Sequence, residues 1–382
     1  MSRIVSPKKI KVLHVVGAMN AAGLETLIMN LYRHIDKDKV QFDFAVQTTE
    51  KSFYDNEIIK MGGRIISHPK PNKGIKDYKI SLKNTLEKYG PYDVVHSHVL
   101  FFSGTVLDIA KKNNVPIRIA HSHNTNDSRN NALPRKIYKL IMRKKIKRNA
   151  THLIGCSKQA CEYVFGKTSY QHGKSSLFPN AIDLAKFKEI KRNTRYLLEE
   201  LNLPKDSILI GHVGRFTKQK NHSFIIDIFS NYSKEESRAH LVLVGEGEEI
   251  ESIKEMVLEK NLSDKVHFLG LRNDIPQFMT AIDLFIFPSL YEGLGIVLVE
   301  AQAAGVPSLI SKNVPIEADL NIGLLNRLDL DSDSKSKWIA KIKELIGKEE
   351  IDWFLRENAL KKYKYDIDVS VENLLKIYED KT

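Results

Sequence analysis

Short apolar runs rich in β-branched residues alternate with longer segments of helical period along most of the chain. The runs IKVLHVV (10–16), FDFAVQ (42–47), RIIS (64–67), DVVHSH (93–98), IRIAHS (117–122) and THLIG (151–155) have the length and composition of buried strands. Between them, 24–35, 78–89, 101–112 and 135–148 repeat apolar residues at three- and four-residue spacings and predict helices. The pattern then restarts. SILIGHVG (207–214), HLVLVG (240–245), KVHFLG (265–270), LFIFPS (284–289) and SLIS (308–311) predict strands, with helices at 223–232, 250–260 and 297–305. Alternation of this kind predicts doubly wound parallel sheets, hence an α/β protein. The restart predicts two Rossmann-like domains facing an interdomain cleft.

The join lies where strands are missing. Residues 179–204 hold a charged, helix-like stretch and no clear strand. The expected division is 1–185, 186–365 and a terminal piece, 366–382, whose amphipathic helix at 370–378 packs back on the first domain. A length of 382 residues suits two domains. No segment approaches the roughly 20 apolar residues of a bilayer span. The first apolar run enters a turn at once, so it reads as a strand and not as a secretory signal. Cys156 and Cys161 are the only cysteines and are expected on one short helical stretch. They make no disulfide framework, which fits a reducing, cytoplasmic compartment.

Open parallel sheets bind ligands beyond the carboxyl ends of their strands, so residues just after strands are the candidates. After the first strand, Gly17-Ala18-Met19-Asn20-Ala21-Ala22-Gly23 leads into a helix. A small-residue loop opening a helix suits a phosphate or carboxylate, or is simply a turn. The spacing is not that of a dinucleotide fingerprint. His96-Ser97-His98 and His121-Ser122-His123-Asn124 each end a strand, and each pair of imidazoles shares a strand face. No Cys, Asp or Glu completes a recognisable ligand spacing there, so no metal is expected. After ILIGHVG come Arg215 and Lys220, a forked guanidinium and an ammonium suited to a diphosphate. A solvated basic loop is the plainer reading. Glu292 follows another strand beside Gly293 and Gly295, with no basic neighbour in sequence. Glu300, two helical turns on, sits in an apolar helix and needs a partner, because an unpaired buried carboxylate is costly. Sugar or ribose hydroxyls are suitable donors.

The net charge of +12 asks for an anionic partner: nucleic acid, a membrane face or a phosphate-bearing substrate. From Arg135 to Arg148 there are eight Lys/Arg, no acid, and an apolar stripe of Ile137, Leu140, Ile141 and Ile146. Two readings stay open: a helix lying on an anionic membrane, or one packed on the sheet with a solvated basic face. The run is not interleaved with a series of aromatic stacking platforms, so a nucleic-acid module is the weaker reading and no nucleic-acid partner is expected.

Taken in order, GLETLIMNLYRHID, GRFTKQKN, LVLVGEGEE, VHFLGLRNDI and DLFIFPSLYEGLGIVLVEAQAAGVP resemble the family four retaining glycosyltransferases of the GT-B fold. The style is that of the branch building capsular and exopolysaccharide repeat units, and the resemblance runs from residue 10 to about 310. It implies a first domain for the acceptor and a second for a nucleoside diphosphate sugar. The family's E-x7-E motif falls on Glu292, which by resemblance faces the transferred sugar, and Glu300, which holds the ribose. Arg215 and Lys220 match the diphosphate-binding pair. The amides of Gly293, Leu294 and Gly295 sit at the phosphates or sugar, and the backbone from Gly270 through Leu271 to Arg272 meets the base. His123, with His121 as second choice, matches the cleft histidine near the reacting carbon. Ala22, Gly23, His121 and Asn124 fall on the acceptor side. Ala22 stands where a first glycine is common, Leu294 where an aromatic is frequent, and Ala181 where a glycine follows Asn180.

The resemblance implies a hexose or N-acetylhexosamine moved from a UDP-sugar, with retention and without a metal or other cofactor. The acceptor is a glycan or a polyprenyl-diphosphate-linked sugar, and the enzyme is cytoplasmic and peripheral on the membrane's inner face. An epimerase or phosphorylase of the same fold, or a non-catalytic partner subunit, is the rival.

Overall fold

The computed structural model describes residues 9–126, 132–188, 190, 194–331 and 334–380. The chain forms two compact units, 1–180 with 367–382, and 181–366. In the first unit, β1 (Ile10–Val16), β2 (Val40–Val46), β3 (Ile65–Ser67), β4 (Val94–Ser97), β5 (Ile117–Ser122), β6 (His152–Gly155) and β7 (Ser176–Leu177) form one sheet in the order β3-β2-β1-β4-β5-β6-β7. In the second, β8 (Ile208–Val213), β9 (Ala239–Val244), β10 (Val266–Phe268), β11 (Leu284–Phe287), β12 (Ser308–Ser311) and β13 (Leu325–Leu328) run β10-β9-β8-β11-β12-β13. The pairings are parallel throughout. Helices cover both faces, which is why the central strands are apolar runs without alternation.

Both sheets reverse their winding in the middle, between β1 and β4 and between β8 and β11. The two reversals are built alike. Asp93, just before β4, accepts from the Lys11 amide at 2.9 Å, and Asp283, just before β11, accepts from the Leu209 amide at 2.8 Å. Each carboxylate pins the amino ends of the two central strands, so their carboxyl ends are left to diverge. Such switch points are where doubly wound sheets take ligands.

The sequence pattern places the strands within a few residues, with β7 and β13 the additions. Both are edge strands, and β13 (LNRL) is too polar to stand out. The helices Lys158–Phe165 and Thr194–Glu200 fall on the two helix-like stretches expected near the cysteines and within 179–204, whereas Ile275–Ala281, Ser334–Leu345 and Trp353–Lys362 are additions. Trp338 on Ser334–Leu345 is fully buried and donates from Nε1 to the Asp329 carbonyl at 2.8 Å. The first crossing between units comes at Asn180, ahead of residue 185. Residues 181–185 join the second unit because Ile182 bridges Asp366 in parallel and donates to the Tyr365 carbonyl at 2.9 Å. The terminal helix, Ile367–Glu379, packs in the first unit against the helix Gly23–His34. Cys161 lies on the helix Lys158–Phe165, whereas Cys156 precedes it; both are buried, and they form no disulfide.

Candidate active site

In the second unit the site is built from the loops that leave β8 and β11. The β8 loop carries Arg215, then a single turn of 3-10 helix, Lys218–Lys220, closed by Asn221 in the left-handed conformation at φ +58°. It is stitched to the β11 loop. The Leu290 amide donates to the Gln219 carbonyl at 2.8 Å, and the Gln219 side chain donates to the Tyr291 carbonyl at 2.9 Å. These bonds bring Lys220 Nζ to 2.6 Å from Glu292 Oε1, with the ammonium 4.4 Å from the Phe287 ring centroid. Both side chains are largely covered, so the pair has left bulk water and each charge depends on the other. Glu292, which has no basic neighbour in sequence, finds its cation 72 residues away along the chain and adjacent in space.

Arg215 is exposed, and among the described residues its guanidinium makes no hydrogen bond or ion pair. Its loop is held by two glycines after β9. A Cβ on Gly245 would lie 2.1 Å from the Gly214 carbonyl oxygen, and one on Gly247 would lie 2.4 Å from that of Phe216. Backbone meets backbone at both, so no side chain fits. The Phe216 amide donates to the Glu246 carbonyl at 2.9 Å across the same contact.

Gly293, Leu294 and Gly295 lead into the helix Ile296–Ala303. Gly295 caps it at φ +81°, where a glycine is needed, and Leu294 turns its side chain into the core. Glu292 is thus in the loop, and Glu300 is on the helix. The Glu300 carboxyl has no hydrogen-bond partner among the described residues, and burial pushes its pKa up to about 7. Gly270 has φ +62° with open space where a Cβ would be, and Leu271 is exposed. The Arg272 side chain is committed elsewhere: it pairs with Glu200 at 2.6 Å and Asp274 at 2.7 Å and contacts Tyr196. That leaves the backbone of 270–272 and the exposed Leu271 side chain open to a ligand.

In the first unit, Ala22 is the N-cap of the helix Gly23–His34 and offers no side-chain cap. Gly23 is the first helical residue. The histidines do more than the sequence suggests. His14, in the middle of β1, joins the two HSH motifs to make a cluster of five. His14 Nδ1 lies 3.0 Å from His98 Nε2, and His98 Nδ1 lies 2.9 Å from His123 Nε2. A second row runs from the Tyr378 hydroxyl, 3.0 Å from His96 Nδ1, through His96 Nε2 to His121 Nδ1 at 3.1 Å. Burial holds all five neutral: His14 and His123 are pushed down to about 3, and His96, His98 and His121 lie well below the usual range. His121 is buried inside β5, while His123, just past its end, is partly exposed. Asn124 turns its side chain back to the Thr125 amide at 2.8 Å. His14 was hidden in sequence because one histidine in an apolar strand reads as core.

Ring nitrogens of His14, His96 and His98, and of His98, His121 and His123, come within 4.8 Å of one another. The rings nevertheless do not aim at one point. His96 and His98 stack with centroids 4.3 Å apart and planes 28° from parallel, and His121 lies over His123 at 3.8 Å. Imidazole lone pairs lie in the ring plane, so stacked rings direct them side by side. The arrangement suits chained hydrogen bonds better than a shared ion.

The helix Leu133–Asn149 settles neither earlier reading in its simple form. Ile146 is fully buried, but Leu133, Ile137, Leu140 and Ile141 are 70, 50, 52 and 46% exposed. Arg143 donates to the carbonyls of Tyr163 and Val164, and Lys139 lies over Tyr163, so part of the basic face points inward. The outer face is an apolar row bordered by Lys136, Lys144 and Arg148. No helix of the described residues is long and apolar enough to cross a membrane.

Comparison with known proteins gives two family models end to end. Residues 21–186 match the model described as Glycosyltransferase Family 4, and 194–363 match Glycosyl transferases group 1. The chain is 36% identical over 375 residues to the putative glycosyltransferase EpsF of Bacillus subtilis (strain 168), covering 97% of each. It is 27% identical to the capsular polysaccharide biosynthesis glycosyltransferase CapH of Staphylococcus aureus, covering 98% of this chain and 99% of CapH. Among solved structures, HepE of Anabaena, in complex with UDP and glucose, superposes with a TM-score of 0.76 at 17% identity, covering 97% of this chain and 100% of HepE.

Proposed function

The chain belongs to the family 4 glycosyltransferases, in their capsular and exopolysaccharide branch, and from that membership we propose that it moves a hexose or N-acetylhexosamine from a nucleoside diphosphate sugar, a UDP-sugar first, to a glycan or polyprenyl-diphosphate-linked acceptor with retention at the anomeric carbon. The observation that carries this is the Lys220–Glu292 pair at 2.6 Å, at the switch point of the second sheet beside the unpaired Arg215. In the ligand-free site the two charges hold each other in place. A donor exchanges that pairing: the ammonium moves to the diphosphate with Arg215, and Glu292 accepts from sugar hydroxyls.

The chemistry follows from the charges. Breaking the anomeric bond leaves charge on the diphosphate, and Arg215 with Lys220 stabilises it as it grows, without a metal. Glu300 accepts from ribose hydroxyls, which supply the donors its carboxyl lacks, and the backbone of 270–272 meets the base. The acceptor hydroxyl attacks from the face the leaving group departs, its proton passing to the departing diphosphate oxygen, and no enzyme nucleophile is used. Ala22, Gly23, His123 and Asn124 serve the acceptor side in the first unit.

The outer face of the helix Leu133–Asn149 supports a peripheral place on the cytoplasmic face of an anionic membrane. Apolar side chains flanked by lysines are what an interfacial helix presents, and a lipid-linked acceptor would be met there.

The reading is tested by thermal unfolding of the full chain against a panel of nucleotide sugars, with Glu292→Ala as control. One UDP-sugar at a hundred times its Kd is expected to stabilise the wild type by about 2.7 kcal/mol. Its effect on the variant should be much smaller. A panel in which nothing stabilises the wild type would sink the proposal, and equal stabilisation of both proteins would remove Glu292 from the sugar.

A further inference from the structure

The three imidazoles in a row, His14, His98 and His123, are coupled. A neutral imidazole carries one proton on two nitrogens. If His14 donates from Nδ1 to His98 Nε2, the His98 proton must be on Nδ1, where it donates to His123 Nε2. The His123 proton is then on Nδ1. Reverse the first bond and every other bond reverses, leaving the last proton on His14 Nε2. The row has two states, and the surroundings of its ends choose between them.

The His14 end is apolar. Nε2 is buried with no hydrogen-bond partner among the described residues, and the ring lies against Phe42 and Phe44, with centroids 4.3 and 5.5 Å away. A proton placed there has no acceptor, which costs roughly 1–3 kcal/mol. The His123 end is polar. His123 Nδ1 and the Asn180 amide oxygen are both buried, and among the described residues neither has a hydrogen-bond partner. Asn180 is also the side chain that favours a proton on His123. A proton on His123 Nδ1 is the donor that the Asn180 oxygen lacks.

We infer that the row is polarised from His14 towards His123, and that His98 is a positioning residue which holds His123 as its Nδ1–H tautomer. This rests on the reading of His123 as an acceptor-side residue, and it fixes what that residue does there. Nε2 of His123 is occupied by the proton of His98 and its Nδ1–H is turned to Asn180, so His123 has no free lone pair with which to act as a base. The second row, Tyr378–His96–His121, shares no hydrogen bond with the first.

The test is a two-bond proton–nitrogen correlation spectrum of the full, ligand-free chain labelled with 15N-histidine, assigned by single His→Gln variants. His98 and His123 are both expected in the Nδ1–H pattern, with Nε2 at the unprotonated position. His123 in the Nε2–H pattern overturns the inference. His98→Gln keeps an amide donor and is expected to leave the His123 pattern single. His98→Phe removes it and is expected to give His123 both tautomers in exchange; an unchanged His123 spectrum in that variant overturns the role of His98. Asn180→Ala should shift His123 towards Nε2–H. If these variants fail to fold, the wild-type spectrum alone decides the direction. None of these spectra depends on a nucleotide sugar, so loss of the transferase reading and loss of this one are separate results.

Discussion

Glu300 shows how a candidate site residue is marked by what it lacks. Its carboxyl sits in the helix Ile296–Ala303, with burial raising its pKa from 4.5 to about 7 against the smaller opposing pull of Lys186, and with no hydrogen bond among the described residues. The folded state therefore binds more protons than the unfolded state between those values, and the ligand-free fold loses stability as pH rises through the window. The cost above pH 7 is on the order of 3 kcal/mol. Glu300→Gln keeps the shape and removes the ionisation. The variant is expected to melt higher than wild type at pH 8 and nearly level with it at pH 5, by calorimetry without ligand. UDP should bind the variant more weakly at pH 8, since an ionised carboxylate accepts more strongly than an amide oxygen. A melting difference independent of pH would mean that Glu300 is solvated and ordinary. Lys220 teaches the complementary lesson. Nothing near Glu292 in sequence announces its cation, because the contact is made by two loops 72 residues apart.

Elements were legible in proportion to how far local pattern dictates them. The central strands are read from apolar runs because both their faces are covered, and the Gly293–Gly295 loop from its punctuation. β13 was not legible, since an edge strand of sequence LNRL owes its pairing to Ser308–Ser311 and not to its own composition. Gly245 and Gly247 look like loop residues; only the facing carbonyls of Gly214 and Phe216 show that they hold Arg215 in place. The helix Leu133–Asn149 is the case where periodicity misleads. Its apolar stripe divides, with Ile146 going to the core and Leu140 and Ile141 facing outward. Exposed apolar area of that kind asks for a partner. Leu140→Glu with Ile141→Glu is expected to abolish sedimentation with vesicles rich in anionic phospholipid, and to leave donor-dependent thermal stabilisation unchanged. Salt should weaken the wild-type binding without eliminating it, because the apolar part is unscreened. Full vesicle binding by the double variant would return the helix to the plainer reading of a solvated basic face.

At the scale of the molecule, the notable feature is that the first unit is discontinuous. Its sheet is made by residue 177, but the helix Ile367–Glu379 that packs against Gly23–His34 arrives only after all of 181–366. That helix is not an accessory. Leu374 and Tyr378 are buried, and the Tyr378 hydroxyl reaches His96 at the centre of the sheet. The first unit is therefore completed by a segment encoded beyond the second. Leu374→Ala removes a buried side chain and is expected to cost about 2–5 kcal/mol. The cost should fall on one unit. In native-state hydrogen exchange, amides of β1 and β4 are expected to lose protection, while those of β8 and β11 keep theirs, and a UDP-sugar should still stabilise the second unit. Equal loss of protection in both sheets would mean that the two units unfold as one, and the terminal helix would then be a clasp for the whole chain and not the last piece of its first half.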